Sequence, residues 1–292
     1  MVFSPSQLEH PIVQAPLGGG PSTPALAAAV SEAGGLGFLA TGYRTPAAVR
    51  SDIAELRRLT SRPFGLNIFV PSPPSADPAA LDGYAAALGG EADRLGVELG
   101  EARYDDDGWE DKLAVAREER VPVVAFTFGC PDAPVVTQLQ AEGCGVWVTV
   151  TTPTEAVAAA NAGADALIVQ GVEAGGHRGS YDGEAPGDIG LLALLQLVRA
   201  VTDRPLVATG GIATGRGVAA VLAAGAAAAQ LGTAFMRTPE AATSEAHREA
   251  FRGEAPTALT RAFTGRTARG SRTASCASTS RRRRSRIPRC TT

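Results

Sequence analysis

Residues 166–180 read ALIVQGVEAGGHRGS. Ala166 to Val169 is a short apolar run without polar alternation, which predicts a strand buried on both faces, as in a parallel sheet. It opens into a glycine-rich loop that carries Gln170, Glu173, His177 and Arg178. In a parallel α/β protein, loops at the carboxyl ends of strands are where ligand chemistry sits. Gly175 and Gly176 remove two side chains just before His177, so backbone can approach a flat or anionic ligand closely. That setting makes His177 the candidate functional histidine, against the reading of a merely solvated loop side chain. His10 lies in the opening segment and His247 in a late helix-like stretch.

The same unit recurs on both sides. Strand-like runs begin near residues 12, 37, 64, 121, 146, 166, 206 and 227, each followed by a helix-like run. Thr23-Pro24, Thr45-Pro46 and Thr152-Pro153 share one helix-opening device, a capping hydroxyl followed by a proline at the first helical position. Asp188 is expected to cap a helix over 188–202. Eight βα units with apolar strands predict a closed TIM (β/α)8 barrel covered by helices. The repeat, and the absence of G-x-G-x-x-G after the first strand, weigh against a doubly wound open sheet. One long interruption follows the third strand, where Pro71, Pro73, Pro74 and Pro78 introduce an insertion spanning about 71–116. It reads either as a lid or specificity element or as an excursion without ligand contact.

The 292 residues, 45% hydrophobic, suit one large domain with a small appendage. No apolar run approaches the ~18 residues of a membrane span, and MVFSPSQLEH has no signal-peptide pattern. Cys130, Cys144, Cys276 and Cys290 lack metal or disulfide spacing. A cytoplasmic protein without a metal is expected. From Arg266 onward there are 9 arginines and no acidic residue, whereas the preceding 265 residues carry 18 basic and 30 acidic groups, a balance of −12. The acidic body argues against nucleic acid as a partner, and nothing indicates a membrane.

Chemistry is expected at two further strand ends. TGGIATG and, about twenty residues later, QLGT place Gly210, Gly211, Gly232 and Thr233 where barrels bind phosphate: backbone N–H groups converge there beside a helix N-terminus. Asn67 and Gln170 end apolar strands, so their amides should face the barrel mouth and need partners such as a heteroaromatic ring edge.

Taken together, APLGGG, PALAAAVSEAGGLGFLATGY, PFGLNIFVP, FTFGCP, GVEAGGHRGSYD, ATGGIATG and AAQLGTAF resemble the nitronate monooxygenases, over roughly residues 10–265. The resemblance implies an FMN-dependent TIM barrel that oxidises alkyl nitronates, such as propionate 3-nitronate, with O₂ to a carbonyl compound and nitrite. It implies that FMN is held by Asn67, Gln170, Gly175, Gly176, Gly211, Gln230, Leu231, Gly232 and Thr233, with Gly210 sharing the phosphate. His177 matches the family's active-site histidine, suited to orienting a nitronate or removing an α-proton. Arg178 has the charge for a nitronate but reads as a solvated loop arginine; Ser180, Tyr181 and Asp182 receive no role. The FMN-dependent enoyl-acyl-carrier-protein reductases, which use NAD(P)H, share the barrel, the GGH loop and the phosphate turns. HRG after the double glycine and FTFGCP favour the monooxygenase. IMP dehydrogenase-like enzymes share GGI, but a catalytic-cysteine loop between the sixth and seventh strands is missing.

A barrel domain over 1–265 is therefore expected to precede an arginine-rich tail over 266–292. The tail, ending SRTASCASTSRRRRSRIPRCTT, cannot bury a core and is expected to be disordered. It reads as a nucleic-acid or membrane-surface arm, or as the product of a reading-frame shift near residue 270. The second reading would allow an inactive flavin-binding barrel.

Overall fold

The computed structural model describes residues 2–271 except 75–77, 102, 184–186, 254–255 and 262–263. Eight parallel strands form one sheet: β1 (Ile12–Gln14), β2 (Gly37–Ala40), β3 (Phe64–Phe69), β4 (Val123–Thr127), β5 (Gly145–Val150), β6 (Ala166–Gln170), β8 (Leu206–Thr209) and β9 (Ala228–Leu231). Their order is β1-β9-β8-β6-β5-β4-β3-β2. The two ends meet where Val13 bridges Leu36, with Leu36 N–H donating to Ile12 O at 3.0 Å and Gln14 N–H to Leu36 O at 2.9 Å. The ring is thus the expected (β/α)8 barrel. A second, small sheet joins β7 (Gly176–His177) to the hairpin β10 (Thr257–Thr260) and β11 (Ala268–Ser271).

The helices are α1 (Pro24–Glu32), α2 (Pro46–Leu59), α3 (Pro78–Leu95), α4 (Trp109–Glu118), α5 (Ala133–Ala141), α6 (Pro153–Asn161), α7 (Leu191–Arg199), α8 (Gly215–Ala223) and α9 (Glu245–Ala250). Four of them start on a threonine whose hydroxyl accepts from the helix's third N–H: Thr23 from Leu26, Thr45 from Ala48, Thr152 from Glu155 and Thr214 from Gly217. The α7 start differs from expectation. Asp188 is not its cap; Gly190 is, and the Glu173 carboxylate, from the loop after β6, accepts from Leu191 N–H at 3.0 and 3.1 Å. A carboxylate at that end satisfies an orphan donor and complements the helix dipole.

Alternation along the strands builds two cores. Outward residues such as Leu66, Val124, Val148 and Leu167 meet the helices in the larger one. Inward residues Val13, Phe38, Val123, Ala125, Trp147, Ala166, Ile168, Val207 and Ala228 fill the barrel. Two residues nearer the carboxyl ends, the same inner face turns polar: Asn67, Thr127, Thr149, Gln170, Thr209 and Gln230. The barrel is therefore apolar below and polar at its mouth. Among the described residues, no helix is long and apolar enough to cross a membrane.

Two boundaries move. α4 packs on β3, α2 and α5, so it is the ring helix of the third unit, and the extra chain ends by 108 rather than 116. The expected domain boundary at 265/266 falls inside ordered chain, because Arg266–Ser271 lead into and form β11. Sequence signals at a short strand ending in ARGS are weak, and only its partners β10 and β7 define it. The expectation for 272–292 lies outside the described residues.

Glycines permit the closest approaches. A Cβ on Gly37 would lie 2.0 Å from Ala27 O, at the contact of α1 with β2. Because that neighbour is backbone, Gly37→Ala is expected to destabilise the fold by about 3 kcal/mol, read as a lower urea midpoint with unchanged slope.

Candidate active site

The loop between β6 and α7 carries His177 across the mouth, and the C-terminal hairpin holds it there. β11 pairs antiparallel with β7, setting Ala268 opposite His177 and Arg269 opposite Gly176. Arg178 N–H donates to Thr267 O at 2.8 Å. His177 Nε2 lies 2.6 Å from Thr264 Oγ1, and its ring meets the Phe128 ring edge-on at 5.8 Å. Burial, and then the positive charge of Arg266, lower the pKa of His177 below the ordinary histidine value. The imidazole is therefore biased towards its neutral form.

Arg178 is not the solvated loop side chain expected. It is 2% exposed, and its guanidinium donates to Gln170 O at 3.3 Å, Gly171 O at 2.5 Å, Gly187 O at 2.7 Å and Gln170 Oε1 at 3.1 Å. It spends its fork on three main-chain carbonyls and one side chain, fixing both ends of the loop to β6. Gln170 completes the lock: Oε1 also accepts from Gly179 N–H at 2.8 Å, and Nε2 donates to His177 O at 3.1 Å. One amide hydrogen of Gln170 remains for a ligand. Asn67 Nδ2 donates to Ala125 O at 3.2 Å and Thr127 Oγ1 at 2.9 Å, which turns its Oδ1 into the acceptor it can offer.

The structure brings several of the glycine sites close together. A Cβ on Gly175 would lie 3.1 Å from Thr233 Oγ1, so the loop after β6 abuts the turn after β9. Gly210 and Gly211 have φ of +119° and +68°, and a Cβ on Gly211 would lie 2.9 Å from Glu173 Cβ. Gly176, at φ +72°, faces open space. Gly232 and Thr233 lead into a short 3₁₀ turn at Phe235–Arg237. Leu231 differs: its side chain packs in the outer core and its carbonyl accepts from Ala15 N–H at 2.8 Å, so only main chain could meet a ligand.

Gln230 Oε1 is buried without a hydrogen-bond partner among the described residues. A buried acceptor left open requires a donor from outside the protein. With the polar inner layer and the glycine cradle, it fits a bound flavin, whose ring carries N–H groups and whose phosphate needs main-chain donors.

Thr264 and Arg266 belong to the site although sequence reasoning omitted them. Thr264 is 87 residues from His177, and no local pattern connects them. Phe128 was inside a quoted motif without a role; its φ of +74° marks it as unusual only in three dimensions.

Comparisons with known proteins agree with this arrangement. A family model described as nitronate monooxygenase matches residues 3–291. A nitronate monooxygenase of Pseudomonas aeruginosa is 45% identical over 274 residues, covering 90% of this chain and 77% of that protein. One of Paraburkholderia phytofirmans is 41% identical over 269 residues, covering 90% and 73%. Among solved structures, nitroalkane oxidase from Streptomyces ansochromogenes superposes with a TM-score of 0.89 at 51% identity, covering 93% of this chain and 79% of that one. FabK from Thermotoga maritima is similar at a TM-score of 0.73 and 32% identity, covering 95% and 77%. The enoyl reductase domain of MlnA from Bacillus amyloliquefaciens, 14% identical at a TM-score of 0.61 over 90% and 63%, shares the fold alone.

Removing the Arg178 guanidinium takes a donor from the carbonyls of Gln170, Gly171 and Gly187, of which Gly171 O keeps Ala174 N–H. Arg178→Met is expected to cost about 3 kcal/mol in urea unfolding, with Arg178→Lys recovering only part, because an ammonium cannot reproduce the planar fork.

Proposed function

Because the chain belongs to the nitronate monooxygenase family, we infer that it is a flavin-dependent oxidoreductase that oxidises alkyl nitronates with O₂ to a carbonyl compound and nitrite, with FMN as its flavin. The observation that carries this reading is a half-buried His177, its pKa lowered, set over a polar barrel mouth in which Gln230 Oε1 waits for a donor. When bound, the flavin supplies the electron transfer to oxygen; the protein's share is binding, orientation and electrostatics.

In this reading Gln230 accepts from the flavin ring, while Asn67 Oδ1 and the remaining amide hydrogen of Gln170 meet its polar edge. Gly175, Gly176, Gly210, Gly211, Gly232 and Thr233 present main-chain donors and a hydroxyl to the phosphate, with Leu231 contributing main chain only. Thr264 fixes one ring nitrogen of His177 and leaves Nδ1 for the substrate. A neutral imidazole can accept an α-proton from a nitroalkane, or hold a nitronate in line for oxidation.

The enoyl reductase alternative draws less support. The enoyl reductase domain of MlnA is alike in fold at 14% identity, against 51% for the nitroalkane oxidase. Protein loaded with flavin that consumes no oxygen with propionate 3-nitronate, yet oxidises NADPH, would sink the monooxygenase reading.

Purified protein is expected to show a flavin spectrum that changes anaerobically on adding propionate 3-nitronate, and to consume O₂ in air. His177→Asn should lower kcat/KM by about 100-fold or more while the flavin stays bound. The pH dependence has a definite sign. Since burial and Arg266 both disfavour the imidazolium, activity that needs neutral His177 should persist below the ordinary histidine pKa of about 6.5 and fall only under more acidic conditions. A kcat/KM profile between acidic and neutral pH checks this.

A further inference from the structure

Arg266 lies five residues before the end of the described chain, yet its side chain reaches the site. Its guanidinium carbon sits 4.1 Å from the centroid of the Phe128 ring, and that ring meets His177 at 5.8 Å. Phe128 touches Phe69 at 4.7 Å, and Phe69 touches Tyr43 at 5.9 Å, so three aromatic rings and the imidazole form a continuous wall at the mouth. Two of these aromatics are held in the left-handed region, Tyr43 at φ +64° and Phe128 at φ +74°. Bulky residues adopt such backbones only where the surroundings enforce them, and such strain gathers at functional sites. Arg266 Nη2 also donates to Ser72 Oγ, tying the hairpin to the chain that leaves β3. Its charge is felt on both sides of the wall, by His177 and by Tyr43.

We propose that Arg266 is the substrate-binding residue that recognises the negative charge of the nitronate, holding its two oxygens beside His177 while the Tyr43–Phe69–Phe128 wall packs the alkyl part. The inference rests on the nitronate reading of the site. Stacking on Phe128 engages the guanidinium's face, and its edge carries the fork of donors that matches a planar O–N–O group. Arg178 donates to the carbonyls of Gln170, Gly171 and Gly187, and Arg269 to Val172 O at 3.2 Å, whereas Arg266 lies over the wall beside His177. Around His177, Thr264 and Phe128 bring no charge, which leaves Arg266 as the ion acting on the imidazole. One cation then does two things: it attracts an anionic substrate, and it adds to burial in lowering the proton affinity of the neighbouring base.

The test uses flavin-loaded wild type, Arg266→Met and Arg266→Lys, with propane 1-nitronate and its neutral parent 1-nitropropane as ligands of one skeleton and different charge. The expected result for Arg266→Met is a KM for the nitronate raised by about 30- to 100-fold, with inhibition by 1-nitropropane little changed. Arg266→Lys should fall between. In NMR titrations that follow the three histidines, the His177 pKa should rise in Arg266→Met and stay low in Arg266→Lys, with His10 and His247 unmoved as a check on folding. Equal losses for the charged and neutral ligands, or a nitronate KM that stays at the wild-type value, would overturn the assignment while leaving the family activity intact. A wild type that fails to oxidise the nitronate defeats the proposed function instead.

Discussion

The site hangs on one buried guanidinium. Arg178 joins the end of β6 to the loop that returns from it, by donating to the carbonyls of Gln170, Gly171 and Gly187 at once. Buried carbonyls in a loop that crosses the barrel mouth need donors, and Gly171 O has a second one in Ala174 N–H at 3.2 Å. With the loop fixed, Gly176 and His177 can pair with β11, and the imidazole arrives beside Thr264 and Phe128. The Glu173 carboxylate, in the same loop, anchors the next helix by its first N–H. Strand end, loop, His177 and following helix are therefore one mechanical unit.

Electrostatics at the mouth oppose those of the body. The first 265 residues carry a net balance of −12, yet the charge that acts on His177 is that of Arg266. An acidic exterior around a locally cationic mouth concentrates attraction for small anions at one place. A second polar network supports the other side of the mouth. Lys112, the chain's one lysine, is buried and contacts Asp107 at 2.7 Å and Thr41 O at 2.9 Å, and Asp107 in turn accepts from Tyr43 N–H at 2.9 Å. The unusual backbone of Tyr43 is thereby held in place.

Much of the barrel was legible because its determinants are local. Apolar runs such as ALIV and VVAF, threonine caps followed by proline, and turn glycines each act within a few residues, and eight repetitions of that unit leave few other ways to bury the strands. The glycine cradle was legible for a related reason: Gly210 and Gly211 need positive φ, which few other residues tolerate. Asp188 was misjudged as a cap because the competing carboxylate, Glu173, comes from fifteen residues earlier by way of the tertiary fold. Arg178 was misjudged because a loop arginine gives no sign in sequence of the carbonyls that will surround it.

By itself, the sequence determined the repeating βα architecture, which follows from periodicity and from residues with special backbone freedom, the place of His177 in a glycine-rich loop after the sixth strand, and, through its combined motifs, the family. Only the tertiary structure decided that the His177 pKa is lowered, that Arg178 is a buried brace, that Ala268–Ser271 form a strand against β7, and that Thr264 and Arg266 lie beside His177. Those facts depend on burial and on contacts across as many as 194 residues, as between Arg266 and Ser72. Desolvation and long-range charge have no one-dimensional signature, since they arise only when the closed ring brings distant strand ends together.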